Sequence, residues 1–224
     1  MDLVGRYGRR FGLALGFLSL ADLVLLGIRV TITDSHRYDF IPWNLALAWL
    51  SLLFAGLLVR NLKKHRWSSN SNLLLTLGWL VFLPNTWYVL TDFIHVFPNG
   101  EISQLYDIVL ISLLVFIGFI LGFASLFLVH RQLLARFGTA RSWLFIEAAI
   151  LAASFAIYLG RDLRWNSWDV VTNPAGVLVN AGQGITDPFG NPRALNITVL
   201  FFFLINVLYW AFWLFSYAPG RRRH

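Results

Sequence analysis

The chain has 224 residues, of which 58% are hydrophobic, 17% are aromatic and only 13% are charged. About a quarter of the residues in a typical soluble domain carry charge, so this composition excludes an ordinary soluble protein and indicates an integral membrane protein. The chain has no cysteine. This excludes disulfides, thiolate nucleophiles, cysteine-ligated zinc and iron–sulfur clusters.

The first apolar segment begins at Phe11, directly after Arg9 and Arg10. Its start resembles a signal peptide, but no small-x-small cleavage site follows, and the segment is long enough to cross a hydrocarbon layer of about 30 Å. We therefore predict a retained transmembrane helix. Asp22 lies past its middle, where an ionised carboxylate costs at least about 2.5 kcal/mol unless it is paired or hydrated. Arg29, seven residues later, is the candidate to shield it.

Five more apolar segments follow, which predicts six transmembrane helices. We expect an all-α polytopic bundle that forms one integral membrane domain over residues 1–224. Gly118 and Gly122 in the fourth helix predict a close contact with another helix. The predicted helices cover about 11–30, 43–60, 73–92, 107–130, 143–160 and 195–217.

The basic residues are concentrated on one predicted side of the membrane. By the positive-inside rule this side is cytoplasmic, so both termini are cytoplasmic and a long outer loop joins helices five and six. The localisation that fits is the cytoplasmic membrane. Because the basic residues serve topology, with membrane lipids as their partners, we predict no binding to nucleic acid. Of the 18 Lys and Arg residues, 13 lie on this side: Arg6, Arg9, Arg10, Arg60, Lys63, Lys64, Arg66, Arg131, Arg136, Arg141, Arg221, Arg222 and Arg223.

A polar stripe ends the third predicted helix, directly after Pro84. If the segment stays α-helical at about 100° per residue, Asn85, Tyr88, Asp92 and His95 lie within roughly an 80° arc. Four polar groups on one face at the end of an apolar helix suggest a site. The alternative is ordinary interfacial polarity, since Trp and Tyr gather at membrane boundaries.

Asp92 and His95 are also a candidate metal pair. Spaced i and i+3 on a helix, a carboxylate and an imidazole can present two ligands to one divalent metal. A third ligand has to come from elsewhere, and a hydrogen-bonded structural histidine is the alternative. The acidic and imidazole side chains available on the same side are Asp169, Asp107, Asp34 and His36.

The outer loop of about 160–194 begins with two arginines. Arg161, Arg164 and Trp168 stand at i, i+3 and i+7 and share a face if the fifth helix continues. Arginine pairs with phosphate in a planar, bidentate way, so an anionic lipid head group or a lipid-linked carrier is the natural ligand. The alternative is internal ion pairing of these arginines with Asp22, Asp92 or Asp169.

The stretch Asn166-Ser167-Trp168-Asp169 reads as a turn or helix start, because Asn, Ser and Asp side chains satisfy backbone groups at such places. For a reaction, Asp169 or Asp92 is the candidate general base, with His95 as partner and the arginines stabilising an anion. The later part, 170–194, is either a lid or a plain surface loop. The candidate ligand-binding residues are Arg161, Arg164, Asn85, Tyr88, Asn166 and Trp168.

These motifs resemble those of the bacterial multi-pass membrane family known as domain of unknown function 1361. The resemblance is carried by Phe82-Leu83-Pro84-Asn85, Tyr88, Thr91-Asp92 and His95, then by Gly160-Arg161, Arg164 and Asn166-Ser167-Trp168-Asp169, and also by Pro42-Trp43-Asn44-Leu45. Trp87 is a departure, because a proline is more usual before the tyrosine. Membership implies a polytopic membrane protein. It does not imply any particular activity.

Three functions remain open at this point. The first is a membrane protein whose outward-facing polar pocket binds or processes an anionic, lipid-linked group. The second is a non-catalytic subunit or scaffold whose polar residues pair internally. The third is a small-solute transporter, for which the cytoplasmic half of the helices offers little polarity. The oligomeric state does not follow from these patterns.

Overall fold

A computed structural model describes residues 8–98, 100–186 and 191–216. They form helices only, with no strand in these ranges. The arginines predicted to anchor the two termini, Arg6 and 221–223, lie outside the described residues. In chain order the elements are α1 (Gly8–Thr33), α2 (Phe40–Asn61), α3 (Asn70–Phe82), α4 (Asn85–Tyr88), a 3-10 helix (Val89–His95), α5 (Gln104–Asp162), α6 (Asp169–Thr172), α7 (Pro174–Thr186) and α8 (Pro192–Ser216).

Five helical segments of the described residues are long and apolar enough to cross a membrane, and these are α1, α2, Asn70–His95, α5 and α8. The α5 helix has 59 residues and is interrupted at Gly138, whose φ of 74° and ψ of 178° are not helical. The rings of His130 and Trp143, one on each side of Gly138, lie 4.6 Å apart. Two packed arms of α5 thus correspond to the predicted fourth and fifth helices, and the all-α membrane fold is confirmed.

The connection between these two arms differs from the predicted loop. Residues 131–142 are helical on both sides of Gly138, and no irregular segment separates the arms. Arg136 Nη2 donates a 3.1 Å hydrogen bond to the backbone oxygen of Leu62. This bond joins two of the basic connections that the charge distribution assigns to one side of the membrane.

A close contact with α4 uses both glycines predicted to allow one. A Cβ atom at Gly118 would meet the backbone oxygen of Thr86, and a Cβ atom at Gly122 would lie 2.5 Å from the Thr86 hydroxyl and 2.9 Å from the ring of Trp87. Trp87 is fully buried there and packs beside Phe123. The glycines therefore let the polar segment after Pro84 lie directly against α5.

Arg29 does not shield Asp22, contrary to expectation. Its Nε donates to Asp107 Oδ1 at 2.8 Å and its Nη2 to Glu101 Oε2 at 3.0 Å, while Tyr38 donates to Asp107 at 3.0 Å. Asp22 is fully buried, and neither of its carboxylate oxygens has a hydrogen-bond partner among the described residues. Asp22 and Arg29 are seven residues apart in α1, about 10 Å along the helix axis, whereas Asp107 lies within hydrogen-bond distance of Arg29 and the two buried charges compensate each other.

Tyr38 completes the network around Asp107. Burial and the hydrogen bond to Asp107 raise the pKa of Tyr38 to about 12. The phenol therefore stays protonated across the physiological range and remains a donor. The network ties the end of α1 and the first outer loop to the start of α5.

The outer segment after α5 is more helical than the sequence suggested. Its two Asn-Pro pairs are helix starts, with Asn173 Oδ1 accepting a hydrogen bond from the Gly176 N–H and Asn191 Oδ1 from the Ala194 N–H. Proline suits the first helical position because its missing N–H needs no partner there. The segment therefore contains α6 and α7, and its residues 187–190 lie outside the described part.

Candidate functional site

The stripe after Pro84 is not one continuous α-helix. The backbone stays helical through Leu83 and Pro84, but the proline has no N–H, and the next backbone hydrogen bond is donated by Thr86 to the Leu83 oxygen at 3.2 Å. From Val89 to His95 the chain is a 3-10 helix. In a 3-10 helix residues i and i+3 lie one above the other, so Asp92 and His95 share a side.

That shared side faces the first turns of α2. Asn44 Nδ2 donates a 2.9 Å hydrogen bond to Asp92 Oδ2, and the ring of His95 lies 5.1 Å from the ring of Phe40. Phe40 and Asn44 are four residues apart and lie on one face of α2. Asp92 is buried, whereas His95 is half-buried. The pair is thus held by side chains of α2.

A first cavity, of about 310 Å³, lies beside this contact; we call it the amide cavity. Its polar lining consists of neutral side chains from α2, α4 and the segment after α5. Apolar side chains of α2, α3, α5 and α7 complete it. The residues that the argument below uses are Trp43, Asn44, Asn85, Tyr88, Trp165, Asn166 and Ser167.

Two contacts hold the segment after α5 over the amide cavity. Asn85 Nδ2 donates a 2.8 Å hydrogen bond to Ser167 Oγ, and the rings of Trp43 and Trp168 meet edge to face at 5.4 Å. Asp169 accepts from the Asn166 N–H at 2.7 Å through Oδ2. This bond matches the predicted helix-start role of Asp169 at α6.

A second, shallow cavity of about 420 Å³ lies at the end of α5; we call it the arginine cleft. Arg161, Arg164 and Arg193 line it together with one carboxylate, Asp162. Arg193 Nε lies 2.6 Å from Asp162 Oδ2. The cleft therefore has three guanidinium groups against one carboxylate.

The two predicted arginines reach this cleft in different ways. The α5 helix ends at Asp162, so the continuing face assumed for Arg161, Arg164 and Trp168 does not form. Arg164 has a φ of 58°, in the left-handed region, where the chain leaves the helix direction. Arg161 remains on the last turn of α5, close enough to Asp92 and His95 for its charge to act on both.

A family model described as "Protein of unknown function (DUF1361)" matches residues 43–208, about three quarters of the chain. The chain belongs to this family. The match begins at Trp43 in the wall of the amide cavity and covers both cavities, whereas α1 lies outside it. No curated protein and no solved structure matches the chain.

In this DUF1361 protein the predicted site residues divide between the two cavities. Asn85, Tyr88 and Asn166 line the amide cavity, whereas Arg161 and Arg164 line the arginine cleft. Trp168 packs against Trp43, and Asp92, His95 and Asp169 have the separate contacts given above. The acid–base roles of these last three residues stay predictions, because their contacts do not bring them to one reacting centre.

The alternative hypothesis was internal ion pairing of Arg161 and Arg164, and the ion pairs in the structure involve other residues. Among the described residues, Arg161 and Arg164 make no hydrogen bond or ion pair with Asp22, Asp92 or Asp169; the buried ion pair is formed by Arg29 instead. No group of three or more His, Asp or Glu side chains that could hold a metal occurs in the described part of the chain. The metal hypothesis for Asp92 and His95 also stays a prediction, and metal analysis of purified protein beside Asp92→Ala tests it.

Several residues that line the cavities were not among the predicted site residues. Asn44 and Trp43 carried a usable signal, because they follow Pro42 where the chain re-enters the membrane. Trp165 and Arg193 carried none, since neither has a motif of its own. Their positions depend on how α5 ends and where α8 begins.

Proposed function

We propose that this DUF1361 protein binds an anionic lipid head group, or another lipid-linked phosphate, in the arginine cleft. The observation that carries the proposal is the set of three guanidinium groups, on Arg161, Arg164 and Arg193, around one cleft with a single carboxylate. Arg161 and Arg164 make no ion pair within the described residues, so their donors are available to a ligand. Guanidinium groups bind phosphate oxygens through two parallel N–H donors.

The position of the cleft supports a lipid as the source of the phosphate. Arg161 is on the last turn of a helix that is long and apolar enough to span a membrane, and Arg193 is on the first turn of another. A helix end of this kind lies at the level of the head groups. We infer from the charge distribution that this is the outer face of a bacterial cytoplasmic membrane.

Titration with defined lipids tests the proposal. Delipidated protein in detergent is titrated with dioleoyl phosphatidic acid and with dioleoyl phosphatidylcholine, and bound lipid is counted by native mass spectrometry. Arg164→Ala should weaken phosphatidic acid binding by about tenfold, because one charge-assisted hydrogen bond contributes about 1.5 kcal/mol. Arg60→Ala, an exposed arginine in the last turn of α2, is the matched control and should bind like the wild type. Equal affinity in wild type and Arg164→Ala overturns the proposal.

A non-catalytic membrane subunit is the second candidate function. The network of the buried Arg29, Asp107 and Tyr38 with the exposed Glu101 favours it, because these groups satisfy one another and need no ligand. A scaffold of this kind predicts no lipid selectivity at the arginine cleft. The same titration therefore separates the two candidates.

A further inference from the structure

We propose that the amide cavity binds an uncharged, hydroxyl-rich group, so that the ligand class is a lipid phosphate carrying a sugar or a polyol. The inference deepens the proposed function and rests on it for the phosphate. The hydroxyl-rich group is assigned on separate grounds, which are the hydrogen-bonding groups of the amide cavity and its aromatic walls.

The first ground is the absence of charge from the polar lining of the amide cavity. Asn44, Asn85, Asn166, Ser167 and Tyr88 supply amide and hydroxyl groups, and no Lys, Arg, Asp or Glu side chain lines the cavity among the described residues. Each amide oxygen can only accept, and each hydroxyl can donate or accept. A neutral ligand with several hydroxyl groups matches this set.

The second ground is that hydrogen bonds within the protein already use particular amide atoms of Asn44 and Asn85. Asn44 Nδ2 donates to Asp92, and Asn85 Nδ2 donates to Ser167 and, at 3.2 Å, to the Phe82 backbone oxygen. These bonds use both N–H donors of Asn85 and one of the two of Asn44, and the two Oδ1 atoms have no partner among the described residues. A hydroxyl group can donate to these oxygens, whereas an ionised phosphate can only accept. At these two oxygens a ligand hydroxyl is therefore favoured over an ionised phosphate.

The aromatic walls supply the third ground. Trp43 and Trp165 both line the amide cavity, and the Trp165 indole nitrogen is buried without a hydrogen-bond partner among the described residues. The faces of indole rings attract polarised C–H groups, which a sugar ring presents on its apolar face. The two indole rings therefore offer walls against which the apolar face of a sugar can pack.

The two cavities adjoin the same short segment, residues 160–165. Gly160 lines the amide cavity and Arg161 the arginine cleft, while Arg164 lines the cleft and Trp165 the amide cavity. Neighbouring residues of this one segment line different cavities. The two cavities therefore lie on either side of the segment. A head group whose phosphate occupies the cleft can place its attached ring in the amide cavity.

The test uses a neutral glycolipid, so that the arginines play no part in it. Dioleoyl glucosylglycerol is titrated against dioleoylglycerol, which has the same chains without the sugar, and bound lipid is counted by native mass spectrometry. We expect the wild type to bind the glucosyl lipid at least about tenfold more tightly. Asn166→Leu should reduce this preference to less than about threefold, since its side chain is exposed and has no intramolecular bond to lose.

Three further variants make the result decisive. Asn85→Leu should also remove the sugar preference, while Asn196→Leu, an exposed asparagine of α8 that lines neither cavity, should keep it. Arg164→Ala should bind the glucosyl lipid like the wild type. No wild-type preference for the sugar, or a full preference in both Asn166→Leu and Asn85→Leu, overturns the inference. If Arg164→Ala binds phosphatidic acid as tightly as the wild type, the proposed function fails. The assignment of a hydroxyl-rich group then depends only on the results with the glucosyl lipid.

Discussion

Asn44 donates a 2.9 Å hydrogen bond to the buried carboxylate of Asp92 and thereby joins the start of α2 to the 3-10 helix. The two residues are 48 positions apart in the chain. The bond fixes the Asn44 amide in the wall of the amide cavity, with its oxygen left for a ligand. We infer from this bond that Asp92 positions the Asn44 amide.

Replacement of Asp92 tests this role. Asp92→Ala removes the acceptor of the Asn44 amide and should lower the free energy of unfolding by about 1–3 kcal/mol, because a hydrogen bond to a charged group contributes an amount of this order. Asp92→Asn keeps an acceptor oxygen and should restore most of that loss. Thermal unfolding in detergent measures both, and a loss in Asp92→Asn equal to that in Asp92→Ala contradicts the role.

The glycines that face α4 should not tolerate a methyl group. Gly118→Ala places a Cβ atom against the backbone oxygen of Thr86, and we expect a loss of about 1–3 kcal/mol, because overpacking of this size forces backbone shifts. Gly16→Ala is the matched control, since no atom lies within 4 Å of its Cβ position. Equal thermal stability of the two variants would show that α4 does not pack on α5 as described.

The buried ion pair of Arg29 and Asp107 should be costly to break from one side. Arg29→Leu leaves the Asp107 carboxylate buried without its main partner, and we expect a loss of about 3–5 kcal/mol. The double variant Arg29→Leu with Asp107→Leu removes both charges and should be more stable than either single variant. If the losses in free energy of unfolding of the two single variants add up to the loss of the double variant, the result contradicts a direct pair.

Sidedness can be measured directly because the chain has no cysteine. Ser103→Cys lies just before α5 on the predicted outer side, and Ser68→Cys lies in the predicted cytoplasmic connection between α2 and α3. Both serines are exposed, which makes them matched reporters. A membrane-impermeant maleimide added to intact cells should label the first and spare the second until the membrane is permeabilised. The reverse pattern contradicts the predicted orientation.

The apolar segments predicted the transmembrane helices well because twenty or so residues without charge have few alternatives in a membrane. Gly118 and Gly122 were informative for a similar reason, since a close helix contact needs small residues. The pairing of Arg29 with Asp107 was missed. The two residues are 78 positions apart, and the sequence suggested Asp22, in the same predicted helix, as the partner of Arg29.

The candidate site was predicted only in part. Asn85, Tyr88 and Asn166 line one cavity, but the stripe was derived for an α-helix, and a 3-10 helix from Val89 rotates the later residues differently. Arg161 and Arg164 do line one cleft, although the helix face assumed for them ends at Asp162. Both differences depend on local backbone geometry, namely the 3-10 conformation from Val89 and the end of α5 at Asp162. No residue pattern indicated this geometry.

The central claim is that one head group presents a phosphate to the arginine cleft and a hydroxyl-rich ring to the amide cavity. Its most direct test compares wild-type binding of dioleoyl phosphatidylinositol with that of dioleoyl phosphatidic acid, since both lipids offer the same chains and a phosphate, but only one carries a polyol ring. The account predicts that phosphatidylinositol binds at least about tenfold more tightly, a difference of about 1.4 kcal/mol. Equal or weaker binding of phosphatidylinositol would contradict it.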